Sequence, residues 1–184
     1  METEKLVQKK LERFISHIER EKENYGSDRE MGSSTIERHV NLLNSLEKEL
    51  KETSKKLNQK ELSSLLDAAN AIYPLNFFTG TGYGTCYGVR QVLQIVKNVN
   101  SQYENLGSEE VRIAYTNALT EFYKLKYNYP LIPLGSFLES ETDEGFPHHT
   151  IPWLNKELIK IETPVEKIEL INNEVADAKK SHGR

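Results

Sequence analysis

Ile36, Leu43, Leu50 and Leu57 recur at strict intervals of seven, with Val40 and Leu46 between them. Seven residues are close to two turns of α-helix, so these side chains share one narrow stripe. No stretch of the chain alternates with period two for more than a few residues, as a half-buried strand would. The pattern therefore predicts a mainly α fold. The second seam position is occupied by His39 and Thr53, which suits an antiparallel helix partner better than a free coiled coil. A helix along the stripe runs about six turns. The helix before it, about Glu4 to Asn24, reads as shorter, which leaves seam over for a second copy, and a symmetric homodimer is the expectation.

The other helices follow from stripes and caps. Val7, Leu11, Phe14, Ile15 and Ile18 step by three and four, and Gly26 follows as a stop. Ser34-Thr35-Ile36-Glu37 fits a capping box for the second helix. Asn58 to Glu61 caps a third, which buries Leu62, Leu65, Leu66 and Ala69 and ends near Tyr73-Pro74. A fourth fits Val89, Val92, Leu93, Ile95, Val96, Val99 and Tyr103. Leu106-Gly107-Ser108-Glu109-Glu110 supplies a stop, a cap and two first-turn carboxylates for a fifth, with Val111, Tyr115, Ala118, Leu119, Phe122 and Leu125 as its stripe. Thr163-Pro164-Val165-Glu166 starts the last helix, with Val165, Ile168, Ile171 and Val175 as its apolar face.

Two irregular stretches interrupt this order. Leu75 to Gly88 holds Gly80, Gly82, Gly84 and Gly88 among aromatics and reads as a tight bend. Tyr127 to Pro152 holds Pro130, Pro133, Pro147 and Pro152 without any period and reads as a long crossing. The expected architecture is one domain of five or six helices. Residues 1–73 form a long N-terminal hairpin plus a short third helix. Residues 74–184 carry the Gly-rich bend, the Pro-rich crossing and the remaining helices.

Composition narrows the function classes. The 184 residues include 37% hydrophobic and 28% charged side chains, with a formal net charge of -4. No apolar run approaches the ~18 residues of a membrane span. The first residues lead straight into a charged amphipathic segment, without the apolar stretch of a signal peptide, and a cytoplasmic location is expected. The single Cys excludes an internal disulfide framework and a Cys-rich zinc site. Residues 1–60 carry 13 basic and 12 acidic residues, leaving 11 and 16 for the rest. Charges alternate in sign along each helix, which argues against a nucleic-acid face, although the N-terminal helices are where one would lie.

Three constellations carry possible chemistry. The glycine cluster from Gly80 to Gly88 lacks the Lys of a phosphate-binding loop and the preceding strand of a dinucleotide site. Cys86 sits near a helix start, where a thiol pKa falls. With His148 or His149 and then Asn155 it imitates the chain order of papain-like hydrolases, without the sheet that such enzymes place behind the histidine. His148 and His149 beside Asp143 and Glu144 invite a metal reading, but adjacent residues of an extended segment point opposite ways. No metal and no cofactor are expected. The remaining feature is the acidic run Glu139, Glu141, Asp143 and Glu144 beside Phe146 and Trp153. An aromatic anchor next to a block of one charge suits a protein partner with a basic rim. The leading expectation is a non-catalytic protein-binding module of the small acidic kind that bacteria and phages use as adaptors, immunity factors or inhibitors. A hydrolase or transferase using Cys86 with His148 or His149 is the alternative, followed by nucleic-acid binding through the N-terminal helices.

Overall fold

The computed structural model describes residues 2–26, 33–72, 83–128 and 160–182, and among these it contains six helices and no strand. They are α1 (Glu2–Gly26), α2 (Ser33–Ser54), α3 (Gln59–Ile72), α4 (Tyr83–Leu106), α5 (Glu109–Asn128) and α6 (Pro164–His182). The mainly α expectation holds.

One core joins all six helices. The seam residues Leu43, Leu46 and Leu50 are fully buried within the single chain, because α2 packs on both α4 and α1. Each such leucine contributes about 2 kcal/mol relative to an exposed one. α2 ends at Ser54, so Leu57 has left the helix, yet it remains buried in the turn that follows. Thr53, read as a break in the seam, is fully buried too. The side chains of Ile36 and His39 lie outside the described residues. α1 has 25 residues and α2 has 22, so the shorter-first-helix argument for a homodimer fails, and Leu43, Leu46 and Leu50 need no second copy to cover them.

The predicted caps of α3, α5 and α6 form, and the side chains of Ser34 and of the residues around Gly26 lie outside the described residues. Asn58 and Glu61 close a reciprocal box at the start of α3. The Asn58 amide donates to Glu61 Oε2 at 3.1 Å, and the Glu61 amide donates to Asn58 Oδ1 at 2.9 Å. Between α4 and α5, Gly107 adopts a φ of 79°, the left-handed stop expected of it. Ser108 Oγ accepts the Val111 amide at 3.3 Å. Thr163 Oγ1 does the same for Glu166 at the start of α6.

Two expectations about glycine and valine need correction. α4 begins at Tyr83, so Gly84 and Gly88 belong to a helix rather than to a bend. Gly80 and Gly82 lie outside the described residues. On α6, Val165 is 61% exposed, whereas Lys167 is 3% exposed. At about 100° per residue, Lys167 stands roughly 40° from the buried Ile171 and Val165 roughly 120° away. Helical register, rather than apolar character, decides which of the two turns inward.

Three helix pairings, each with two contacts, set directions. Glu61–Arg112 and Ser64–Asn117 pair α3 with α5 in parallel. Tyr103–Arg112 and Asn98–Tyr115 pair α4 with α5 antiparallel. Lys167 meets Gln102 near the start of α5, and Lys179 meets Glu121 further along it, so α6 runs parallel to α5. The end of α5 and the start of α6 therefore stand at opposite ends of a pair about 30 Å long.

Candidate functional site

α3 packs on α1 at one side and on α5 at the other. Its outward face, between those two walls, is the floor of an open groove of about 520 Å³. Ser63, Ser64 and Ala68 line the floor, Ile113 and Asn117 come from α5, and Thr3 comes from α1. This volume falls within the range of small-ligand clefts. Amphipathic patterning places small side chains here because Leu62, Leu65, Leu66 and Ala69 claim the opposite face of the same helix.

The charges at the groove are already engaged. Lys10 Nζ donates to Asp67 Oδ1 at 3.0 Å and to Ser63 Oγ at 3.5 Å. Lys60 Nζ stands 3.8 Å from Glu109 Oε1. Ser64 Oγ donates to Asn117 Oδ1 at 3.3 Å, an amide oxygen that takes no proton at neutral pH. A serine needs a neighbouring base to become a nucleophile, and neither serine of this floor receives one from these partners. The groove offers hydroxyls, amides and the buried Gln59 Oε1, an acceptor without a hydrogen-bond partner. Such a set is suited to polar groups.

At the start of α3 lies a junction of three helix ends. Glu61 is 3% exposed, and its Oε1 accepts Arg112 Nη1 at 2.9 Å. Arg112 Nε donates to the Tyr103 carbonyl at 3.2 Å, and the guanidinium lies 3.9 Å from the Tyr103 ring centroid. Asn58 Nδ2 donates to Glu109 Oε2. The half-buried cation thus has a carboxylate, a carbonyl and an aromatic face, which compensate its lost hydration. The capping pattern exposed Asn58 and Glu61 in the sequence; nothing in the spacing singles out Arg112.

A second buried ionisable pair sits on α1. His17 Nε2 is 3.4 Å from Glu21 Oε1, with both residues buried. Tyr115 and Tyr123 are enclosed completely, and burial pushes both phenols upward from 10.0. The Tyr115 hydroxyl donates to Asn98 Oδ1 at 3.4 Å.

The sequence-derived site residues fall elsewhere. Cys86 is the fourth residue of α4, in the first turn, and its side chain lies outside the described residues. Glu139, Glu141, Asp143, Glu144, Phe146, His148, His149 and Trp153 also lie outside them, as does Asn155. Among the described residues no group of three or more His, Cys, Asp or Glu stands close enough to hold a metal ion. None of their helices is long and apolar enough to cross a membrane. Comparison with protein-family models, with curated proteins and with solved structures found no match.

Proposed function

We propose that the chain is a non-catalytic, cytosolic protein-binding module whose partner presents a basic rim. One observation carries this reading. α5 and α6 run parallel, so residues 128 and 160 stand at opposite ends of a packed helix pair. The segment holding Glu139, Glu141, Asp143, Glu144, Phe146 and Trp153 therefore starts and finishes on packed helices. Binding residues carried by a connection on a rigid scaffold are a recurrent arrangement. The assignment to adaptors, immunity factors or stoichiometric inhibitors rests on size and charge alone.

The test compares the wild type with Glu139→Lys/Glu141→Lys/Glu144→Lys. A partner is captured from the native host, identified by mass spectrometry and purified. At physiological salt the triple variant should keep its melting temperature and associate about tenfold more slowly, because like charges now meet at the rim. An unchanged on-rate with an unchanged melting temperature contradicts the reading.

The cysteine alternative has its own support in the place of Cys86 in the first turn of α4, where the helix dipole stabilises a thiolate. We expect native Cys86 to resist iodoacetamide until the chain unfolds. Rapid labelling near pH 6.5 would favour the hydrolase with His148 or His149.

A further inference from the structure

α6 is held differently from the helices at the centre. α3 and α4 each pack on three other helices, whereas α6 packs principally on α5. Glu166, Glu169, Asn172, Asn173, Ala176 and Asp177 all face solvent. Ile171 and Val175 are its buried apolar side chains. The third buried residue is a cation, Lys167, whose Nζ donates to Gln102 Oε1 on α4. A neutral amide oxygen replaces one hydrogen bond to water and supplies no opposite charge. At the far end, Lys179 and Glu121 are 3.9 Å apart and each more than half exposed, a geometry that contributes little.

We propose that α6 is a releasable clasp, which undocks from α5 as a unit while α1–α5 stay folded, with the Lys167–Gln102 contact setting how readily it does so. Local opening of an edge element is a general property of folded chains, and its free energy follows how much the element buries. Here Ile171 and Val175 are buried, Ile168 and Leu170 pack partly buried beside them, and the buried Lys167 carries a penalty. Desolvation lowers the Lys167 pKa from 10.5, which has the sign expected of that penalty. Undocking also frees one of the two anchors of residues 129–159. The proposal rests on contacts of α6 alone and stands whether or not the protein-binding reading holds.

Hydrogen exchange read by mass spectrometry on the full chain tests it. In the wild type, amides of residues 164–182 should exchange at least about tenfold faster than those of residues 62–72. Lys167→Met keeps the length of the side chain and removes the charge, and should slow exchange in α6 about tenfold without changing α3. Gln102→Leu leaves the ammonium without that acceptor and should accelerate α6 by a similar factor. A disrupted packing site would instead accelerate exchange in both variants. The proposal is overturned if α6 and α3 exchange at one rate, or if Lys167→Met fails to slow α6 selectively.

Discussion

Arg112, half-buried, and Lys167, buried, are cations near the same end of the bundle, and their surroundings differ. Arg112 sits where α3, α4 and α5 meet, with the Glu61 carboxylate at 2.9 Å, the Tyr103 carbonyl at 3.2 Å and an aromatic face. Lys167 sits where the edge helix α6 touches α4, against the Gln102 amide. The planar guanidinium spreads its charge over several partners, while an ammonium is a compact, strongly hydrated ion that needs them more. The junction is therefore a place where removing any member is costly, and the edge is a place where removing the charge is a gain.

The largest effect is expected from breaking the junction. Glu61→Ala removes the acceptor of the Asn58 amide and leaves the half-buried Arg112 without its carboxylate. Urea unfolding should show a loss of about 3–5 kcal/mol. Glu61→Gln keeps an acceptor for the cap and should lose less, about 2 kcal/mol.

A smaller effect separates the edge from the junction by pH. The folded Lys167 pKa is lowered from 10.5, so the unfolded chain holds that proton more tightly. Stability then rises as pH increases towards the unfolded value. Lys167→Met lacks this gain, so its advantage over the wild type should shrink between neutral pH and about pH 10.5. Tyr115 and Tyr123 have raised pKa values and act in the opposite sense at high pH, but both chains carry them and their contribution cancels. A gap constant across this interval would show that the ammonium is not penalised.

Caps sharpen the comparison further. Asn58→Ala should cost about 1 kcal/mol, because its box locks a junction helix, whereas Thr163→Ala at the edge should cost about 0.5 kcal/mol in global stability. The smallest effect concerns assembly. With Leu43, Leu46 and Leu50 covered inside one chain, sedimentation at tens of micromolar should give a single 21.2 kDa species. A concentration-dependent dimer would mean that another face mediates association.

The helices and their caps were legible because both depend on local spacing: Asn58 with Glu61, Gly107 with Ser108, and Thr163 with Glu166 each lie within one turn. The apolar stripes of α1, α3 and α4 matched the buried faces for the same reason. What escaped was the burial of polar residues. His17, Glu21, Gln91 and Lys167 are enclosed, yet a stripe argument assigns every polar side chain to solvent. Their burial follows from register and from neighbours distant in sequence. Val165 failed in the opposite way, since its apolar character could not overcome its place on the wheel. The groove over α3 was invisible because it requires α1, α3 and α5 together, and the Arg112–Glu61 pair joins residues 51 positions apart.

The contrast between the two cations is tested most directly by Arg112→Met and Lys167→Met in one urea series near pH 7. Arg112→Met should lose about 3 kcal/mol or more, because it abandons the buried Glu61 carboxylate. Lys167→Met should gain about 1 kcal/mol, because it removes a charge whose hydration Gln102 restores only in part. Opposite shifts of the two midpoints are the predicted result; a loss of stability in both variants would contradict it.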